Sequence, residues 1–166
     1  MSDAKRRLIG IAVLTLAYPA LAPLVQYIPN PMVPGAVVAL NMILPVLAGY
    51  LYGPCSGAFA GGVGAGLAAL LMVNMFYAVA VLPHVLMGGL AGWLGREGSE
   101  LKSATALLAG HVLNLLFFIR LGMLPVPEEA LPSTALGLLT EASVEMVAVV
   151  LLANSLRHFF YCTDRW

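Results

Sequence analysis

Charge is what this sequence has least of. Only 10% of its 166 residues are Asp, Glu, Lys or Arg, and eight acidic side chains cancel eight basic ones. A soluble domain carries about 25% charged residues, so this chain could not cover its own surface against water. Its zero formal net charge and the lack of any basic stripe exclude nucleic acid as a partner. Cysteine is nearly as scarce: Cys55 and Cys162 lie far apart, in no metal-ligand spacing, and read as two reduced, unpaired thiols. There is no Gly-Lys-Ser/Thr, so no P-loop binds ATP. No His-Glu-x-x-His and no Ser-His elbow occurs. Nothing points to an enzyme, a resident metal or a cofactor. What is abundant is apolar: 61% of residues are hydrophobic, with a mean hydropathy of +0.94. The solvent is a membrane.

A helix needs about 20 mostly apolar residues to cross a hydrocarbon core of roughly 30 Å. Isolated strands leave backbone groups unsatisfied in lipid. Turn signals and charges divide the chain into six spans, 8–27, 33–52, 54–73, 75–95, 103–124 and 133–156, within one all-α polytopic domain covering 1–166. Lys5-Arg6-Arg7 before an apolar run resembles the start of a signal peptide. The run is longer than a signal h-region and no A-x-A site ends it, so it reads as a retained first span.

The basic residues orient the bundle. Lys5, Arg6, Arg7, Arg96, Lys102, Arg157 and Arg165 all fall on one side; the opposite connectors carry only Glu128 and Glu129. Positive residues favour the cytoplasm, so both termini are expected there, in a prokaryotic plasma membrane.

The stretch "GPCSGAFAGGVGAGLAAL" contains Gly64-Ala-Gly66-Leu-Ala-Ala69, a loose match to G-x-G-x-x-G/A. A dinucleotide site needs a strand before it and an acidic residue some 20 positions on. Here more Gly and Ala precede it, and no Asp or Glu follows until Glu97. Gly57, Gly61, Ala65 and Ala69 instead recur every four residues, and Gly62 with Gly66 forms a second small-xxx-small pair. In lipid such stripes let helix backbones approach closely, so Gly57, Gly61, Gly62 and Gly66 are expected to pack helices.

Ionisable groups within spans are costly and face a cavity or a partner. They are Arg120, Glu141, Glu145, His84 and His111, accompanied by Asn41 and Asn114. At about 1.5 Å per residue, Arg120 and Glu141 lie at depths that let them pair between neighbouring spans. Glu145 lies one turn deeper, level with His84 and Asn114. Gln26, Asn30, Asn74 and Tyr77 stand at the outer rim. His111 is half a turn round the helix from Arg120, so the two cannot share a site; His111 is read as an inter-helix packing or hydrogen-bonding residue. Trp93, Tyr50, Tyr52 and Tyr161 suit an interfacial belt. The expected solute site thus comprises Asn41, Asn74, Tyr77, His84, Asn114, Arg120, Glu141 and Glu145.

Three pieces of the chain, "IPNPMVPGAVV", "LPVLAGYLYGPCSGAFAGGVGAGLAALL" and "LPHVLMGGLAGWLGRE", resemble the S components of energy-coupling factor (ECF) transporters, which are six-span substrate-binding subunits of similar length. The resemblance implies uptake of a small organic solute of the vitamin class. It also implies partners: a membrane coupling subunit and two ATPases. Many S components dock through an A-x-x-x-A stripe in the first span, whereas Ala12, Ala17, Ala20 and Ala22 form no strict one here. The cobalt and nickel members begin Met-His; this chain begins Met1-Ser2-Asp3, which disfavours a metal cargo. The rival readings are a stand-alone proton- or cation-coupled carrier with Glu141, Glu145 and His84 as its relay, and a ligand-free membrane scaffold.

Overall fold

The computed structural model describes residues 2–33, 36–124 and 126–160, with residue 128 and residues 157–160 described by backbone alone. Among the described residues helix dominates, and the only β-type pairing is an isolated antiparallel bridge between Pro29 and Val37. Helices α1 (Asp3–Val25), α3 (Pro54–Met72), α4 (Met75–Leu94) and α7 (Leu131–Phe160) are each long and apolar enough to cross a bilayer. So is the near-continuous pair α5 (Glu100–Ala104) and α6 (Ala106–Arg120).

The second expected span is shorter than 33–52. Only a 3-10 turn, Leu40–Met42, and α2 (Ile43–Tyr52) are helical there, covering roughly 20 Å at about 1.5 Å per residue. The preceding residues form a loop. Prolines punctuate this stretch and cannot donate to a helix ladder. The Asn30 side chain also captures the backbone N–H groups of Met32 (2.9 Å) and Val33 (3.1 Å) in an Asx turn.

The two shortest connectors are Gly53, a single residue as the punctuation implied, and Val73-Asn74, one residue longer than the expected single Asn. Gly53, at φ 96°, ends α2, and Pro54 opens α3 at a position where its missing N–H costs nothing. Arg7 and the Ser56 hydroxyl both donate to the Tyr52 carbonyl at that corner (2.5 and 3.0 Å). Val73 takes the left-handed conformation after α3, and the Asn74 side chain then caps α4 by accepting from the Phe76 N–H at 2.9 Å.

Helices α2, α3 and α4 make the tight part of the bundle. A Cβ built on Gly57 would stand 2.6 Å from the Cα of Gly49 and the carbonyl carbon of Gly88; one on Gly61 would stand 2.6 Å from the carbonyl carbon of His84. These glycines are backbone-on-backbone contacts, the close approach expected of small residues in lipid. Gly62 differs, since its nearest obstacle is a Val85 methyl, and Gly66 has open space where a side chain would go. The expected second packing pair therefore forms no backbone seam: Gly62 meets α4 only through the Val85 side chain, and Gly66 meets no neighbour.

Trp93 is exposed, as an interfacial residue would be, but Tyr50 and Tyr52 are buried. The Tyr50 hydroxyl donates to Glu100 at 2.6 Å, and the Tyr52 ring packs against Gly10. These two tyrosines fasten helices together instead of marking a headgroup belt. Tyr161, Cys162 and Arg165 lie outside the described residues, as does the Arg157 side chain; Cys55 is an exposed free thiol. Lys102 of α5 pairs with Glu97, just beyond α4. Fully exposed, the pair adds little to stability.

Candidate functional site

A cavity of about 400 Å³ opens where α1 ends and α4 begins, between α6 and α7 and beneath the 26–39 loop. Its position follows from chain geometry. Half-length α2 leaves space above itself, and the loop that replaces its missing turns covers that space. The walls are largely apolar, with aliphatic side chains such as Val33, Met42 and Leu115 and the aromatic rings of Tyr18, Phe76, Tyr77 and Phe118; the polar groups are Gln26, Asn41, Asn74, Asn114, His84, His111 and Glu141. No Lys or Arg lines it among the described residues.

Of the expected residues, the structure brings Asn41, Asn74, Tyr77, His84, Asn114 and Glu141 to this one cavity. Each is fixed from its own helix. The Tyr77 hydroxyl donates to the carbonyl of Ala22 at 3.2 Å, in the last turn of α1, where carbonyls lack helical partners. The His84 ring lies against the Ala80 carbonyl through Nδ1 at 2.5 Å and against the Tyr18 hydroxyl through Nε2 at 3.2 Å. With Nδ1–H donating to the carbonyl, Nε2 is the acceptor for Tyr18. The Asn41 Nδ2 and Asn114 Oδ1 atoms are buried in the walls with no protein partner, and such orphans are uncommon in a folded protein.

Glu141 does not pair with Arg120. Its Oε2 accepts from Asn30 Nδ2 at 2.7 Å and its Oε1 from the Ala39 N–H at 2.5 Å. One carboxylate thereby holds both ends of the covering loop. Arg120 is exposed at the end of α6, makes no ion pair among the described residues and does not line the cavity. The helical period had already shown that Arg120 and His111 face opposite ways; the cavity is on the His111 side. His111 is both the expected inter-helix hydrogen-bonding residue, with Nε2 2.8 Å from Glu145 Oε2, and a cavity wall. Glu145 stands behind that wall, fully buried.

Sequence reasoning missed Tyr18, Phe76 and Phe118 as cavity residues. Their signal was available only in part. Tyr18 is a polar-tipped aromatic deep in the first span, which in lipid needs a partner, but Phe76 and Phe118 look like any lipid-facing residue until the helices are placed.

Compared with known families, residues 5–157 match the family model of the ECF-type riboflavin transporter, S component. Neither the curated proteins nor the solved structures provide a match. The family match takes in almost the entire chain, and the chain belongs to this S-component family. It is a multi-pass membrane protein of a substrate-binding, non-enzyme family.

Proposed function

We propose, from that membership, that the chain captures riboflavin on the outer side of a prokaryotic plasma membrane and hands it to an ECF module of a coupling subunit and two ATPases. The observation that carries this reading is the lining of the cavity. A volume of about 400 Å³ lies within the range of about 300–1,000 Å³ that holds drug-sized ligands. Aromatic walls suit a planar ring system, and amide side chains match an edge that alternates donors and acceptors. The absence of Lys or Arg from the described lining argues for an uncharged cargo. A phosphorylated flavin would bring about two negative charges next to Glu141 with nothing to neutralise them. The basic asymmetry of the sequence supports the orientation, with the cavity on the outer side.

The relay reading fares less well. His84 is bonded to Tyr18 and Ala80, not to either carboxylate, so Glu141, Glu145 and His84 form no continuous hydrogen-bonded path. Fluorescence titration of purified protein with riboflavin and with its 5′-phosphate tests the proposal. Riboflavin is expected to bind at least tenfold more tightly, a difference of about 1.4 kcal/mol. Equal affinity, or no quenching by riboflavin, would overturn it.

A further inference from the structure

His111 from α6 and Glu141 and Glu145 from α7 each offer one ligating atom, and these atoms all lie within 4.8 Å of one another. All three side chains are buried, Glu145 completely. We propose that they form a binding site for one divalent cation of the zinc and cobalt class, bracing the wall of the cavity and distinct from any cargo.

The case turns on Glu145 Oε1, which has no hydrogen-bond partner among the described residues. If Glu145 is ionised, Oε1 is an unpaired buried anion; if Oε1 carries the proton, that proton has no acceptor; if Oε2 carries it towards His111, Oε1 is a carbonyl oxygen with no donor. Every state leaves a buried polar atom unsatisfied, at a cost in low dielectric that is greatest for the anion. A cation coordinated by Oε1 removes the deficit. It also adds positive charge beside two neighbouring carboxylates, of which only Glu145 contacts His111 while Arg120 is exposed at the end of α6.

The donor set suits this class of ion. One imidazole nitrogen with carboxylate oxygens is a borderline-hard set favoured by zinc and its neighbours over magnesium or calcium. Ligand bonds of about 2.0–2.2 Å at tetrahedral angles put donor atoms roughly 3.4 Å apart. His111 Nε2 and Glu145 Oε2, now 2.8 Å apart, need separate only slightly for a metal to replace the shared proton. Glu141 already has its outer support. Asn30 and the Ala39 N–H occupy two of its lone-pair directions, and hydrogen bonds of that kind orient ligating carboxylates.

The test uses tag-free, chelator-treated full-length protein in detergent, titrated with zinc and with cobalt chloride by calorimetry, the cobalt arm also read by visible absorption. One equivalent is expected, with Glu145→Gln and His111→Ala each weakening it at least tenfold and His158→Ala leaving it unchanged. Zinc-edge absorption on the loaded parent should show imidazole and oxygen without sulfur, which decides the matter even if His111→Ala does not fold. No binding above the detergent blank, a sulfur ligand, or affinity unmoved by Glu145→Gln would overturn the site. Riboflavin titration of the metal-free parent is scored separately, so failure of one proposal is distinguishable from failure of the other.

Discussion

The α3–α4 seam and the α6–α7 contact solve the same problem in opposite ways. Water is absent, so neither pair gains much from hiding apolar surface. The first removes side chains altogether: Gly57 meets Gly88, Gly61 meets the His84 backbone, and the helices touch along most of their length. The second keeps large polar side chains, joins them at His111–Glu145, and touches sparingly elsewhere. Closeness gives rigidity on one side; held separation gives a cavity on the other. Dispersion favours the closed arrangement, and the open one is held by the His111–Glu145 contact and the Glu141 bonds to Asn30 and Ala39, while Asn41, Asn114 and Glu145 each keep a buried atom unpaired among the described residues.

Bulk in the seam should break this contrast most severely. Gly57→Leu places a side chain against the Gly88 and Gly49 backbones, which cannot rotate away. Overpacking costs about 1–3 kcal/mol when side chains can yield, so here at least the upper end is expected, read as a large fall in melting temperature or loss of expression. A parent-like melt would show that the seam is looser than described.

Filling the open side should act with opposite signs on stability and binding. Asn114→Leu removes a buried amide whose Oδ1 has no partner and whose only bond is a weak one to the Met42 sulfur at 3.8 Å. The ligand-free protein is expected to gain up to about 1 kcal/mol of stability, while riboflavin affinity falls about tenfold. Thermal melts and fluorescence titration check both; a loss of stability would mean that the amide is already paired.

The smallest effects belong to groups outside both regions. Gly66→Ala enters open space and should be neutral or stabilising by up to about 1 kcal/mol, since alanine favours helix. Arg120→Ala should change stability by less than about 0.5 kcal/mol and leave binding unaltered, because the side chain is exposed and unpaired. A sharp loss of binding in Arg120→Ala would restore it to the site.

Much of the fold was legible because lipid leaves few choices. Five helices lie close to their expected places, and the short connectors at Gly53 and Val73-Asn74 were visible as punctuation. The half-length α2 was less legible, because its missing turns are as apolar as a span and only the prolines and Asn30 betray them. In the site, depth was readable and direction was not. Height along a helix follows from residue number. Azimuth depends on which neighbours a helix meets, so Arg120 was paired with Glu141 although it points outwards. The partners Glu141 actually has, an amide on the loop and a backbone N–H, carry no charge pattern to find.

The Glu141 carboxylate, bonded at once to Asn30 and Ala39, makes the cover a buckle with a single tongue. Opening it requires neither helix to move; it requires two hydrogen bonds to part together. At about 0.5–1.5 kcal/mol net for each, the buckle is undone for roughly a sixth down to less than a hundredth of the time. The Ala39 amide, released in the same event, would record each parting by trading its hydrogen for deuterium.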